Sequence, residues 1–365
     1  MLFPYTYVPH QMERMQRFVN FIFYQIWCCA PKSGQFNLNL FDANPPLKEV
    51  LTDIYYKDGK TGDQFLGQIQ LIYECFSQLK RSEIVQLKRW YQGNNNLQAV
   101  CSKYPRVQLA RYNDIAAIDQ DLASQLYSFF KELYSTSLLG LAALRDKIGN
   151  LGDHYKKFMK VNSSGKCPFC GIADLLGVDH SRREAYDHYF PKSIYPFNSI
   201  NFRNLVPACH TCNSSYKLSK DPAYSGTAGQ RRAIFYPYTK IPYFIELKIT
   251  FQHTDIHKLT KIDINIDFGP DELAEEIKTW NDLYGIEERY KSKLLEENEG
   301  KYWLVQILDE WQEDGRPPAD YLRTLARQTK KRPYAECNFL KKPFLDACQQ
   351  MGLFDDINIE QTNTL

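Results

Sequence analysis

The chain has 365 residues, of which 44% are hydrophobic and 24% are charged, a balance typical of globular proteins. Its formal net charge is only +2, which excludes a protein that is basic throughout, so any nucleic-acid-binding surface has to be local. Residues 1–5 lack the basic segment and cleavage site of a secretory signal, and the apolar run at 18–30 is too short to cross a bilayer. We therefore expect a cytoplasmic protein of two or three domains without a membrane contact.

The first 160 residues are predicted to form a helical N-terminal domain. Apolar side chains recur at helical spacing in the stretches 11–29, 63–79 and 116–148, with a break expected near Gly140. Residues 59–62 and the Gly-Asn-Asn-Asn run at 93–96 predict turns. This region carries no catalytic motif, and we expect it to support the functional site, to dimerise or to bind a partner.

Two C-x-x-C pairs frame the middle of the chain, Cys167 with Cys170 and Cys209 with Cys212. This arrangement is typical of a closed tetrahedral zinc site with four thiolate ligands. The alternative is two redox-active or disulfide pairs, which reducing intracellular conditions disfavour. Because four sulfur ligands leave no open position on the ion, the zinc is expected to be structural, and a catalytic metal has to bind elsewhere.

The segment between and around these cysteines contains further polar residues in a recognisable order. Residues 187–193 read Asp-His-Tyr-Phe-Pro-Lys-Ser, Asn204 opens the run before Cys209, and Asn213 directly follows Cys212. With these motifs, about a fifth of the chain resembles the HNH endonuclease family, and more narrowly the zinc-stabilised HNH proteins of bacterial defence and restriction loci. Many members place a lysine three residues after the last asparagine, whereas Lys217 lies four residues after Asn213.

The resemblance implies a ββα-metal fold and metal-dependent hydrolysis of phosphodiester bonds. The first strand would cover 186–190, the second 202–207, and the helix would run from 212 to about 219. His188 would be the general base, a role that suits an imidazole near neutral pH. Asp187 and Asn213 would hold Mg²⁺ or Mn²⁺ through hard oxygen ligands. Asn204 would brace the loop between the strands and so keep His188 aimed.

Basic residues are in local excess between 156 and 232, which favours phosphate binding. Those predicted to contact phosphates are Lys192, Arg203, Lys217 and Lys220. Double-stranded DNA is the expected substrate because the family mostly cuts it, and RNA is the alternative. The resemblance further implies an effector in antiviral defence that works with an ATPase or a sensor protein.

Two alternatives compete with this interpretation. A second Asp-His pair, Asp179-His180, precedes the first, but the following proline and serine of the family pattern favour Asp187-His188, and His180 is expected on an exposed turn beside Arg182 and Arg183. The competing function is a non-catalytic zinc module that binds nucleic acid or a protein. Such a module has no need of an aspartate, a histidine and an asparagine in this pattern, which favours the nuclease.

The remaining chain, 231–365, is predicted to form a C-terminal α+β region. Residues 243–252 and 261–268 alternate apolar and polar side chains, as the strands of a β-hairpin do. Helices are expected at 272–298, 302–311, 318–329 and 343–351. The predicted fold is therefore α+β: a mostly helical protein with a zinc-bound HNH module at 161–230 and a C-terminal hairpin followed by helices.

Overall fold

The computed structural model describes residues 1–57, 59–226, 229–253, 255 and 258–355. This part of the chain is mostly helical and contains two small antiparallel sheets, so the α+β class is confirmed. The backbone forms two compact units, one of Pro4–Gly165 with Leu175–Lys240, the other of Met1–Phe3, Lys166–Asp174 and Ile241–Leu365. The division into domains 1–160, 161–230 and 231–365 is a different partition and stays a prediction.

The first unit contains helices α1 to α11 and one two-stranded sheet. The helices are α1 (Glu13–Phe21), α2 (Ala30–Ser33), α3 (Pro45–Lys57), α4 (Gly59–Ser77), α5 (Arg81–Asn95), α6 (Leu97–Cys101), α7 (Tyr112–Ala116), α8 (Gln120–Glu132), α9 (Thr136–Leu139), α10 (Ala142–Ile148) and α11 (Leu151–Val161). A π-helical stretch (Ile22–Ile26) and a 3-10 turn (Trp27–Cys29) continue α1, and a second 3-10 turn covers Leu38–Phe41. The sheet pairs β1 (Tyr186–His188) with β2 (Leu205–Pro207) in antiparallel register, with His188 opposite Leu205.

The predicted turn at 59–62 is wrong because this segment is helical, and of the predicted turn at 93–96 only Asn96 lies outside a helix. Residues 59–62 begin α4, and the glycine-asparagine run ends α5 at Asn95. The predicted helix at 116–148 is divided into α8, α9 and α10, with Gly140 between the last two as expected. Asn and Gly have low helix propensity in isolation, so tertiary contacts decide their conformation here.

Those contacts place the C-terminal end of α5 under the loop that joins β1 to β2. The Asn94 amide donates to the carbonyl of Ala110 at 2.8 Å and to that of Pro196 at 2.9 Å. The Asn95 amide donates to the carbonyl of Phe197 at 3.2 Å. Asn94 is fully buried, so these hydrogen bonds are not exposed to competition from water. The end of α5 is therefore the platform on which the loop between the two site strands rests.

Phe197 anchors the same loop to the aromatic core of the unit. Its ring is fully buried and lies 5.1 Å from the ring of Tyr91 and 5.5 Å from those of Phe23 and Phe130. Its backbone adopts φ +79°, a left-handed conformation that is uncommon for a bulky residue. Burial of a phenylalanine side chain stabilises a fold by about 2 kcal/mol, which offsets a local strain of about 1–3 kcal/mol.

The second unit contains the predicted β-hairpin. Strand β3 (Glu246–Phe251) pairs antiparallel with β4 (Ile264–Gly269), which confirms the period-two pattern, while residues 254, 256 and 257 of the connection lie outside the described residues. Its helices are α12 (Ala274–Tyr284), α13 (Ile286–Leu295), α14 (Tyr302–Asp314), α15 (Pro318–Lys331) and α16 (Asn338–Gln350), with a 3-10 turn at Asp271–Leu273, a π-helical turn at Glu297–Lys301 and a 3-10 turn at Ala335–Cys337. Gly285, at φ +58°, separates α12 from α13 and divides the predicted helix at 272–298.

We predict that Gly93→Ala destabilises the platform under the loop. A Cβ atom at this position would lie 1.9 Å from the carbonyl oxygen of Gln108, so the backbone has to shift. The expected loss is at least about 2 kcal/mol in the free energy of unfolding, as for other overpacked sites. Gly67→Ala in α4 is the matched control, since its Cβ meets no atom of the described residues within 4 Å. Thermal unfolding compares the two variants. Equal stability would contradict the close packing of α5 against the chain at Gln108.

Candidate functional site

A buried ion pair joins β1 to the short helix that follows the second cysteine pair. The Lys217 ammonium donates to Asp187 Oδ1 and to the backbone carbonyl of His188, each at 2.9 Å. Lys217 is completely buried and the Asp187 side chain is 4% exposed. Burial raises the pKa of the Asp187 carboxyl, while Lys217 acts in the opposite direction. The lysine therefore fixes both the carboxylate and the backbone of the neighbouring histidine.

The helix that carries Lys217, Thr211–Lys217, is a π-helix. Its wider turn is closed by the backbone N–H of Leu218, which donates to the carbonyl of Asn213 at 3.0 Å. A π-turn accommodates one more residue than an α-turn, and such turns are frequent at functional sites. The spacing of four residues between Asn213 and Lys217, one more than in many HNH proteins, is therefore absorbed by the helix geometry.

His188 is held in one tautomer by the backbone. Its Nε2 lies 2.9 Å from the carbonyl oxygen of Ser199, and because a carbonyl only accepts, Nε2 carries the proton. Burial, together with the cations of Lys192 and Lys217, lowers the pKa of His188 to about 3. The imidazole is therefore neutral, and the lone pair on Nδ1 can accept a proton from a bound molecule.

Two residues outside β1 and β2, Tyr134 and Lys192, also lie close to His188. The ring of Tyr134 meets the imidazole edge-on at 4.7 Å, and the Lys192 ammonium lies 5.6 Å from the centre of the same ring. The Tyr134 hydroxyl is buried and makes no hydrogen bond within the described part of the chain, and burial raises its pKa to about 12. Tyr134 escaped the sequence analysis because it lies in a helical region with no motif, far from His188 along the chain.

Asn204 makes the hydrogen bonds expected of a loop brace. Its side-chain carbonyl accepts from the backbone N–H of Phe190 at 2.8 Å, and its amide donates to the carbonyl of the same residue at 3.0 Å. The amide also lies 3.3 Å from the carbonyl of Asn198. Asn204 is fully buried and touches the chain two residues after His188, so it fixes the backbone on which the imidazole sits.

The residues predicted to hold a catalytic cation have suitable chemistry. Asp187 Oδ2 is buried and has no hydrogen-bond partner within the described residues, a state that costs about 1–3 kcal/mol or more for a charged group. Asn213 is half-buried on the helix that Lys217 fastens to β1. A carboxylate and an amide oxygen are ligands that Mg²⁺ and Mn²⁺ accept, so the residues present fit a divalent cation.

One of the predicted phosphate contacts is wrong. Lys217 cannot face a phosphate in solvent because it is buried against Asp187. Lys192 is half-buried and donates to the carbonyl of Lys131 at 3.1 Å, while the Arg203 guanidinium lies 4.3 Å from the centre of the Tyr7 ring. Arg203 and Lys220 are exposed, and their contacts with phosphate, like that of Lys192, stay predictions.

The four predicted zinc ligands converge. The sulfur atoms of Cys167, Cys170, Cys209 and Cys212 all lie within 4.8 Å of one another and are buried. A tetrahedral zinc with Zn–S bonds of ~2.3 Å places its sulfurs ~3.8 Å apart, so the cluster suits such an ion. The backbone N–H of Asn213 donates to the carbonyl of Cys209 at 3.0 Å. This hydrogen bond connects the second cysteine pair to the π-helix that follows it. His210, an alternative ligand by sequence, is exposed.

Comparisons with known proteins detect similarity over limited stretches. Protein ea31 of Escherichia phage lambda is 39% identical over 74 residues, which is 20% of this chain and 22% of that protein. Septu protein PtuB of Bacillus thuringiensis, a component of a defence system, is 31% identical over 68 residues, 18% of this chain and 25% of PtuB. The chain thus spans about a quarter of the length of these relatives. No family model and no solved structure matches it.

The described helices differ from membrane-spanning helices. None of them combines the length and the apolar character that crossing a bilayer needs.

We predict that Lys217→Met lowers the free energy of unfolding by about 3–5 kcal/mol, because it leaves the buried Asp187 carboxylate without a cation. The double variant Lys217→Met/Asp187→Asn should regain part of this loss, since no unpaired charge remains. Lys301→Met is the control, because it removes a lysine from an ion pair whose acid is exposed and should cost less than about 1 kcal/mol. Chemical denaturation measures the free energies of unfolding. If Lys217→Met loses no more stability than Lys301→Met, the pair of Lys217 with Asp187 has no structural role.

We predict that the purified protein holds one structural zinc ion, and that Cys209→Ser releases it and unfolds the segment around β1 and β2. Elemental analysis and circular dichroism measure the two effects. Cys75→Ser, which changes a half-buried cysteine outside the cluster, should leave the zinc content at the wild-type value. A folded Cys209→Ser protein with its full zinc content refutes the assignment of four thiolate ligands.

Proposed function

We propose that this protein is an HNH-type endonuclease, a metal-dependent hydrolase of phosphodiester bonds in nucleic acid, with double-stranded DNA as the substrate. The observation that carries the proposal is the state of His188: a neutral imidazole with Nε2–H fixed on the Ser199 carbonyl and a lone pair on Nδ1. A general base needs such a lone pair at the pH of the reaction. A zinc module that serves folding alone gains nothing from a histidine held in this way beside a buried carboxylate.

The residues of the site have separate tasks in this hydrolysis. His188 Nδ1 takes a proton from a water molecule, whose oxygen forms a bond to phosphorus while the bond from phosphorus to the leaving oxygen breaks. Asp187 and Asn213 would hold a divalent cation, which would supply charge neutralisation at the phosphate. Burial lowers the pKa of His188, which keeps the imidazole deprotonated at neutral pH and also weakens its affinity for the proton, so the geometry at Nδ1 carries the assignment of the base.

Three buried contacts pre-organise the base. Lys217 holds the His188 carbonyl, Asn204 holds both backbone groups of Phe190, and Ser199 orients the ring. A catalytic side chain has to be kept within about 0.5 Å of its productive position by such supporting groups. The arrangement therefore needs little reorganisation when substrate binds.

The biological setting that we propose is prokaryotic defence. It is supported by the limited similarity to Septu protein PtuB, a defence-system component, and by the resemblance of the site segment to nucleases of defence and restriction loci. In such a setting an ATPase or a sensor protein would control cleavage. Affinity purification of the full chain from its native host is the test of a partner, and recovery of the chain alone counts against one.

A non-catalytic zinc module is the second candidate, and one observation favours it. Asp187 Oδ1 is already bound by Lys217, so only Oδ2 remains for a metal. A plasmid-cleavage assay separates the two candidates. A binding module leaves DNA intact with Mg²⁺ or Mn²⁺, whereas the nuclease cuts it.

We predict that the wild-type protein relaxes or linearises supercoiled plasmid in Mg²⁺ or Mn²⁺, and that His188→Ala lowers the rate by at least about 100-fold because the general base is lost. His253→Ala is the matched control, since His253 is 42% exposed and lies far along the chain from the motif. A chelator should stop cleavage by the wild type and by the control. Cleavage by His188→Ala at the wild-type rate refutes the assigned base, and His180 then becomes the candidate.

A further inference from the structure

An open pocket of about 470 Å³ lies between the first turn of α11 and the loop that leads into β1. Four basic side chains line it, those of Lys156, His180, Arg182 and Arg183, together with the aromatic ring of Tyr155. Among the described residues no acidic side chain lines the pocket. His180, the histidine of the Asp179-His180 pair, lines the pocket and has no role in the proposed hydrolysis.

The cations of this pocket are not neutralised by nearby carboxylates. No salt bridge within the described part of the chain involves Lys156, Arg182 or Arg183. The Glu184 carboxylate, next to Arg183, accepts from the backbone N–H of Leu176 at 3.2 Å and makes no salt bridge with Arg183 within the described residues. The pocket therefore presents a positive potential to solvent and suits an anion.

Two further acids lie near the pocket in sequence without lining it. Asp153, in the first turn of α11, accepts from the Asn150 amide at 2.6 Å, and Asp179 is exposed on the loop. The three permanent positive charges of Lys156, Arg182 and Arg183 line the pocket itself, so they dominate the potential at its mouth.

The pocket is close to the proposed catalytic residues. Ala185 lines the pocket, and its carbonyl accepts from the backbone N–H of Ala208 at 3.3 Å, which extends the pairing of β1 with β2. His188 lies three residues further along this extended chain, or ~10 Å at ~3.3 Å per residue. One strand of duplex DNA carries a phosphate every ~3.4 Å of helix axis, so ~10 Å corresponds to about three nucleotides.

Contacts along the protein surface join the pocket to the base. The Arg183 guanidinium lies 5.6 Å from the centre of the Tyr186 ring, at the start of β1. Arg183 also exerts an electrostatic effect on Tyr134, whose ring packs on His188, and the Lys192 ammonium lies 5.6 Å from the centre of the same ring. Cationic side chains thus flank the imidazole on both sides along the chain.

We infer that this pocket binds a backbone phosphate of the nucleic-acid substrate, within about three nucleotides of the scissile bond; the inference rests on the proposed function. Arginine guanidinium groups bind phosphate oxygens through two parallel N–H bonds, and Lys156 adds a point charge. A phosphate held here fixes the direction and the register of the strand across His188. Phosphate contacts position a substrate without reading its sequence.

The test is equilibrium binding to a fluorescein-labelled 16-base-pair DNA duplex and to a single-stranded RNA, without added Mg²⁺ or Mn²⁺ so that no cleavage occurs. The variant is Arg182→Ala/Arg183→Ala. The matched control is Arg323→Ala/Arg327→Ala, which removes the same charge from two exposed arginines of α15. The substituted pocket arginines are exposed, so thermal unfolding should be unchanged.

For the duplex, the slope of log K against log salt concentration should fall in magnitude by about one in the pocket variant, because one phosphate contact is lost, and stay unchanged in the control. At 0.1 M salt the pocket variant should bind roughly tenfold or more weakly. Isothermal titration with inorganic phosphate distinguishes a free anion from a backbone phosphate. Loss of phosphate binding with an unchanged duplex slope overturns the backbone assignment.

Equal slopes for the pocket variant and the control overturn the inference and leave the proposed nuclease intact. Failure of the wild type to bind either nucleic acid overturns the proposed function, and the inference with it. A reduced slope that appears with RNA alone supports the pocket and changes the assigned substrate from DNA to RNA.

Discussion

A lysine buried against a carboxylate holds the two halves of the candidate site together. Removal of both charges from water costs several kcal/mol per ion, and an isolated pair recovers this only with good geometry and further hydrogen bonds. Lys217 satisfies that condition because it donates to Asp187 and also to the carbonyl of His188. The same contact fastens the helix of Asn213 to the strand of His188, so the relative position of these two residues depends on it.

The π-helix follows from the same constraint. Because Lys217 lies four residues after Asn213, an α-helix would turn the lysine by about 100° relative to a spacing of three. The wider turn, closed from Leu218 to Asn213, accepts the extra residue. The ion pair thus specifies the local helix type, because the energy of an unpaired buried carboxylate exceeds the cost of one irregular turn.

The sequence predicted the parts of the molecule that local pattern governs. Period-two alternation located β3 and β4, helical spacing located α4 and α8, and the cysteine spacing identified a cluster that does converge. The sequence-based prediction failed where residues that are distant along the chain determine the local conformation. Asn94 lies within the last turn of a helix and its amide donates to the carbonyls of Ala110 and Pro196, while Tyr134 reaches His188 from a segment without a motif. The burial of Lys217 runs against the usual exposure of lysine.

Charge is distributed in a way that favours short-range recognition. Inside the site, His188 is neutral and Asp187 is offset by Lys217, so the buried groups add little net charge. The cations lie at the edge, at Arg182, Arg183 and Lys192, on a chain whose net charge is only +2. Screening in physiological salt limits surface charges to a range of about 8 Å. In the proposed function, a phosphate would therefore be attracted mainly once it is near the site, where the edge cations would orient it toward a deprotonated imidazole.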